Sequence, residues 1–169
     1  MMITIRSVIL VTLKLALSLF GLIFITVIVH EGAHYITALI LGIPIASFTW
    51  FDPNYFAPMF VSGSTDNTVG MTIVSYAGGL VTGALLLIVM ILKRSWFKQS
   101  LYRWVLGFFF AIFSLYQLCL GVFEGAFHDK YISEATDIFS SVHLTCYASA
   151  FLGMALYWFF MPRLKQLKI

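Results

Sequence analysis

Between Ser7 and Ile43 the only Asp, Glu, Lys, Arg or His residues are Lys14, His30, Glu31 and His34. So apolar a stretch exceeds the roughly 20 residues that cross a bilayer, and its few ionisable groups demand a reason. Three of them fall in His30-Glu31-Gly32-Ala33-His34, an H-E-x-x-H string. On a helix, residues four apart share a face, so both imidazoles can reach one metal ion. Glu31 follows His30 directly, which sets a carboxylate beside that ion, where it can take a proton from bound water. In soluble proteins this string also arises by chance on surfaces. In a lipid-embedded helix the same groups carry a desolvation cost, and ionisable residues there are functional by default. The competing reading is structural, with the histidines hydrogen bonding between helices.

Composition supports a membrane setting. Of 169 residues, 61% are hydrophobic, 17% aromatic and 10% charged, too little charge to keep a soluble domain of this size in solution. Cys119 and Cys146 fall in separate apolar segments and read as small helix residues, with no disulfide required. Arg6 ahead of an apolar run imitates a signal peptide. Lys14 interrupts that run, no small-residue cleavage site ends it, and the H-E-x-x-H string lies in its continuation, so it reads as a retained span. Four spans are expected, at about 7–43, 69–92, 103–124 and 138–161. The first is long for one upright crossing and should tilt or protrude, ending at Gly42 and Pro44. No internal repeat or second domain is apparent, so residues 1–169 form one helical bundle. The fold class is an all-α membrane protein.

Charge orients the bundle. Arg6, Lys14, Lys93, Arg94, Lys98, Arg103, Arg163, Lys165 and Lys168 fall at the N-terminus, the second-to-third connection and the C-terminus. Those regions share one side of a four-span protein, and the positive-inside rule puts that side, with both termini, in the cytoplasm. Asp52, Asp66, Glu124, Asp129, Glu134 and Asp137 lie toward the other face, and the site should open outward.

Between the first two spans, Ile45 to Phe51 is rich in β-formers, Asp52-Pro53-Asn54 signals a turn, and Met59-Phe60-Val61 follows Pro58 as a second short strand. This predicts a β-hairpin at the membrane interface; the alternative is an aromatic interfacial loop anchored by Trp50, Tyr55 and Phe56. In the second span Ser75, Gly79 and Gly83 recur every four residues, beside Gly78 and Thr82. Small residues so spaced allow close helix packing in lipid, and the expected partner is the first helix.

Taken together, these residues resemble the site-2 protease family of intramembrane zinc metalloproteases. His30-Glu31-Gly32-Ala33-His34 matches the family's H-E-x-x-H, whose histidines bind zinc and whose glutamate is the general base. Ser75-Tyr76-Ala77-Gly78-Gly79-Leu80 is similar to its A-G-P helix, with Gly79 where proline is usual. The hairpin is similar to its membrane re-entrant β element, which holds substrate as an added strand. The likeness runs from about Thr26 to Asp137. The third motif departs: neither L-D-G nor S-D-G occurs. Thr136-Asp137-Ile138 stands nearest, which favours Asp137 as third ligand. Phe123-Glu124-Gly125 makes Glu124 its rival, and Asp129 beside His128 follows. The plainer roles are a helix cap for Asp137, an ion pair with Lys130 for Glu124 and a solvated charge for Asp129. With Asp137 on the metal, Gln117 and Glu124 fall where the family keeps groups that hold the substrate backbone. Phe48 and Trp50, on the expected edge strand, would contact the substrate too. His143 reads as a packed polar residue.

The resemblance implies a zinc-dependent endopeptidase with one catalytic ion, cutting a peptide bond in or near a membrane-spanning segment of a substrate protein. The expected setting is a multi-pass protein of a prokaryotic plasma membrane, with the bilayer and a membrane-protein substrate as partners, room for a regulatory membrane partner, and no nucleic acid. Two readings compete: a non-catalytic zinc-binding scaffold, whose site would be closed by four ligands, and a metal or proton carrier, whose polar residues would line a whole path.

Overall fold

The computed structural model describes residues 5–53, 57–134 and 136–161. Helix α1 spans Ile5–Leu41, strands β1 and β2 span Ile45–Asp52 and Ala57–Ser62, and helix α2 spans Thr68–Leu92. One-turn helix α3 (Arg94–Phe97) leads into α4 (Leu101–Ala126), followed by the short α5 (His128–Glu134) and by α6 (Ser141–Phe160). Four of these helices, α1, α2, α4 and α6, are long and apolar enough to cross a membrane, in agreement with the four expected segments. Asn54 of the expected turn, the expected interfacial anchors Tyr55 and Phe56, the basic Arg163, Lys165 and Lys168, and the side chain of Arg6 lie outside the described residues.

At 37 residues, α1 is about 55 Å long, well beyond the roughly 30 Å hydrocarbon layer. Its end is built from local chemistry. Gly42 takes a left-handed φ of 65°, which a side chain would oppose. The Ile43 N–H then reaches back to the Ala38 carbonyl (2.9 Å) and the Gly42 N–H to Leu39 (3.3 Å), the paired bonds of a Schellman stop. Ile43 and Ala38 pack together against Val74, so the stop also docks α1 on α2. Pro44 follows, and the chain turns into the hairpin.

That hairpin forms as the β-rich sequence predicts: β1 and β2 pair antiparallel, with Phe48 opposite Phe60 and a register shift on either side of Ser47–Thr49. Its two strands are not equivalent. β2 lies against α1, through the Phe60 N–H and ring, while β1 is the outer strand and carries the exposed Trp50 and Phe51.

α2 is the central helix, packed on α1 to one side and on α4 to the other, with α6 behind α4. Asn67 caps α2 by accepting from the Gly70 N–H at 2.8 Å, and Ser100 caps α4. The small-residue stripe meets α4 rather than α1, contrary to the sequence expectation. A Cβ on Gly79 would stand 2.3 Å from the Gly121 nitrogen, and one on Gly83 would stand 2.7 Å from the Ser114 carbonyl oxygen. The Ser114 hydroxyl donates to the Gly83 carbonyl at 2.8 Å across the same seam. The neighbouring Gly78, a turn of about 100° away, is the one that faces α1.

Candidate metal centre

His30 and His34 project from α1 towards α2 and α4, as four-residue spacing requires. Their Nε2 atoms stand 3.2 Å apart. Glu124, near the end of α4, brings Oε1 to 3.1 Å from His30 Nε2 and Oε2 to 3.9 Å from His34 Nε2. Two ligands on one tetrahedral zinc, with bonds of about 2.0–2.1 Å, stand roughly 3.3 Å from each other. Among the described residues this is the group of His, Cys, Asp and Glu side chains able to hold a metal ion.

The far side of each ring fixes its chemistry. His34 Nδ1 lies 2.6 Å from the Val74 carbonyl oxygen, which can only accept, so Nδ1 carries the proton. His30 Nδ1 donates likewise to Gln117 Oε1 at 2.8 Å. With Nδ1 as the donor, the neutral form of each ring turns an Nε2 lone pair toward the carboxylate, the orientation that carbonyl and amide oxygens impose on metal-binding histidines. Three acceptors thus converge in a buried place. A proton on His30 Nε2 would serve Glu124 Oε1, but it would leave Glu124 Oε2, which is buried with no hydrogen-bond partner among the described residues. A cation at the centre satisfies the whole set, and the donor set of two imidazoles and one carboxylate fits zinc.

Space is kept for such an ion by Gly78. A Cβ there would lie 2.2 Å from His34 Nε2 and 2.6 Å from His30 Nε2. Gln117 and Glu124 are two helical turns apart and so share a face of α4, which lets one helix both orient His30 and complete the group. Beside them Glu31 Oε2 accepts from the Phe60 N–H at 2.9 Å, and the Phe60 ring stacks on His34 with centroids 5.9 Å apart.

His30, Glu31, His34 and Glu124 line a cavity of about 300 Å³, with Phe60, Val61 and Ser62 of β2 on one wall and His128 and Tyr131 of α5 on another. Tyr131 lies outside the apolar spans. Desolvation and the facing Glu124 carboxylate push its phenol above the ordinary value, so it stays a proton donor at physiological pH.

Of the three sequence candidates for the third acidic ligand, the structure groups Glu124 with the histidines. Asp137 is exposed in the turn before α6, and its Oδ1 accepts from the Phe139 N–H at 2.9 Å. Nor does it cap the fourth span: α6 begins at Ser141, later than expected, and its cap is Ser140, which accepts from the His143 N–H. The unforeseen α5 takes up the connection and leaves Asp137 on its outside. Asp129 is exposed on α5. His128 reaches the cavity wall and its Nδ1 donates to the Glu124 carbonyl at 3.1 Å.

Of the residues expected to touch substrate, Glu124 lines the cavity. Gln117 is buried against His30, so it orients a ligand instead of facing the cavity. Phe48 packs on Tyr35 and Trp50, and neither Phe48 nor Trp50 lines the cavity; β2 does. Missed by sequence reasoning were the Val74 carbonyl, the Phe60 N–H and Tyr131. His143 meets the Tyr116 hydroxyl at 3.1 Å, away from the cavity wall. Comparison of the chain with known protein families, curated proteins and solved structures finds no match.

Proposed function

We propose that this chain is a membrane-embedded, zinc-dependent endopeptidase that hydrolyses a peptide bond in or near a membrane-spanning segment of another protein. The observation that carries the reading is the convergence of His30 Nε2, His34 Nε2 and the Glu124 carboxylate, with Glu31 on the same cavity wall. Among the described residues three protein ligands, not four, converge, and a site of three leaves a position open, as a catalytic site does and a structural one does not. Bound there, zinc supplies a Lewis acid that acidifies water and polarises a carbonyl.

The remaining steps belong to the chain's own side chains. Glu31 is held through Oε2 by the Phe60 N–H, which leaves its other oxygen to accept a proton from the attacking water. The water oxygen bonds to the carbonyl carbon, the C–N bond breaks, and Glu31 returns the proton to the departing amine. Tyr131, held protonated, donates toward the oxygen on which charge builds up. A helical substrate hides its carbonyls in its own hydrogen bonds and must unwind first. β2 lines the cavity, so the freed backbone lies along β2 and not, as the sequence suggested, against β1. The apolar spans and the basic α2–α4 connection support a multi-pass protein with that connection in the cytoplasm and the cavity opening outward.

The test is zinc content together with cleavage. Purified wild type should hold one zinc per chain and cut single-span peptides presented in detergent or lipid. Glu31→Gln should keep the zinc and lose cleavage; His30→Ala and His34→Ala should lose both. Zinc loss in Glu31→Gln would make Glu31 a ligand and remove the mechanism, and full cleavage by His30→Ala would remove the site.

A further inference from the structure

A second cavity lies at the other end of the bundle, away from the histidines. It has a volume of about 370 Å³, within the roughly 300–1,000 Å³ range of small-molecule sites. Its walls come from α2, α4 and α6, through Leu87, Met90, Ala111, Leu115, Leu156 and Tyr157. Arg94 is the charged group in its lining. From Leu87 to Arg94 the cavity follows α2 and its continuation for seven residues, about 10 Å along a helix axis. The back wall is tight because Gly153 lets α6 approach α4: a Cβ there would stand 2.7 Å from the Ala111 carbonyl oxygen.

Arg94 is exposed and folds toward the rim, where it donates to the Phe160 carbonyl at the end of α6 (3.0 Å). That uses one of five N–H groups. Arg94 thus sets one positive charge at the mouth of an otherwise hydrocarbon interior. A ligand complementary to both has an anionic head and an apolar tail. The mouth lies where α2 and α6 end, which for helices that cross a bilayer is headgroup depth, and the interior runs from there toward the middle of the spans. A guanidinium fork suits phosphate oxygens.

We propose that this cavity is a binding site for an anionic membrane phospholipid, with an acyl chain between α2, α4 and α6 and the phosphate on Arg94. The site is independent of the metal centre.

The protein, reconstituted in nanodiscs of equal phosphatidylglycerol and phosphatidylcholine, would be released into native mass spectrometry and its retained lipids counted. Wild type should retain phosphatidylglycerol over phosphatidylcholine by about fivefold, the ratio that one basic residue near a lipid phosphate supports. Arg94→Gln should bring the ratio close to unity, and Arg94→Lys should restore part of it. Leu156→Trp, which fills the cavity from its rim, should lower retention of both lipids. Lys98→Gln, a basic residue of the same connection outside the lining, should leave the ratio unchanged. An unchanged ratio in Arg94→Gln, an equal loss in Lys98→Gln, or full retention in Leu156→Trp would overturn the proposal. So would wild type that retains no lipid, as it would if the chain's own residues 162–169 filled the cavity.

Discussion

At the scale of single residues, the proposed metal centre separates side chains that would bind the ion from those that would aim a ligand. Glu124 faces both imidazoles, so Glu124→Ala should strip zinc from folded protein, whereas Asp137→Ala should leave zinc content untouched; metal analysis of the purified variants decides between them. Gln117 acts one step back, through His30 Nδ1. Replacing it by Leu keeps the volume but frees the imidazole, and metal affinity should fall about 10–100-fold, as for other hydrogen-bond partners of ligating histidines. A competitive chelator titration reads this directly. Tyr131→Phe removes from the cavity wall a phenol that faces the Glu124 carboxylate, without replacing a proposed ligand. Zinc should stay, and kcat should fall by an order of 10² with little change in KM, as for the loss of one donor to developing charge. A variant as active as wild type would leave Tyr131 a wall residue only.

Helix α2 shows at the scale of elements how one glycine-rich stretch serves two neighbours. Gly79 touches backbone of α4, so Gly79→Ala must push two helices apart and should cost about 1–3 kcal/mol, measured as a lower unfolding temperature in detergent. Gly78 meets imidazole edges instead, and Gly78→Ala should weaken zinc binding more than it weakens the fold. The sequence made this stripe visible but not its partner, because periodicity defines a face and says nothing of what lies across it. The long apolar runs and the hairpin were legible for the opposite reason: lipid-length hydrophobicity and β-branched clustering are local properties. The third ligand was not, since Glu124 lies 94 residues from His30 and its motif resembles the expected string less than Asp137's does. α5 escaped notice because its seven residues are too few to show a period. Its last residue nonetheless fastens α5 to α6: Glu134 accepts from the Ser141 hydroxyl at 2.9 Å and from the Val142 N–H at 3.2 Å. Slight desolvation works upward on this carboxyl, but those hydrogen bonds and nearby Lys130 outweigh it and hold it below the ordinary range. A depressed folded value stabilises above the unfolded value of about 4.3, and that contribution is lost as pH falls through the folded one. Thermal unfolding from pH 6 down to pH 3 should show this loss in wild type and a flatter profile in Glu134→Gln.

For the whole molecule, charge and chemistry sit at opposite ends. Lys93, Arg94 and Lys98 lie on the connection between α2 and α4 and Arg103 in the first turn of α4, whereas Glu31 and Glu124 line the candidate-site cavity and Asp129 and Glu134 lie on α5, which forms one of its walls. If the four apolar helices cross the membrane, these two ends face different compartments, and insertion keeps basic connections on the cytoplasmic side. The same asymmetry serves both proposed sites. Anionic lipid is enriched on the cytoplasmic leaflet, where Arg94 would meet it, and peptide cleavage would occur near the outer interface. Single cysteines at Lys98 and at Asp66, an exposed residue between the hairpin and α2, give a direct test after both native cysteines are replaced. In intact cells a membrane-impermeant maleimide should label the Asp66→Cys protein, and the Lys98→Cys protein only after permeabilisation. The reverse pattern would turn the cavity toward the cytoplasm and move the lipid site to the outer leaflet. Labelling of both from outside would mean that the helices do not thread the bilayer as four spans.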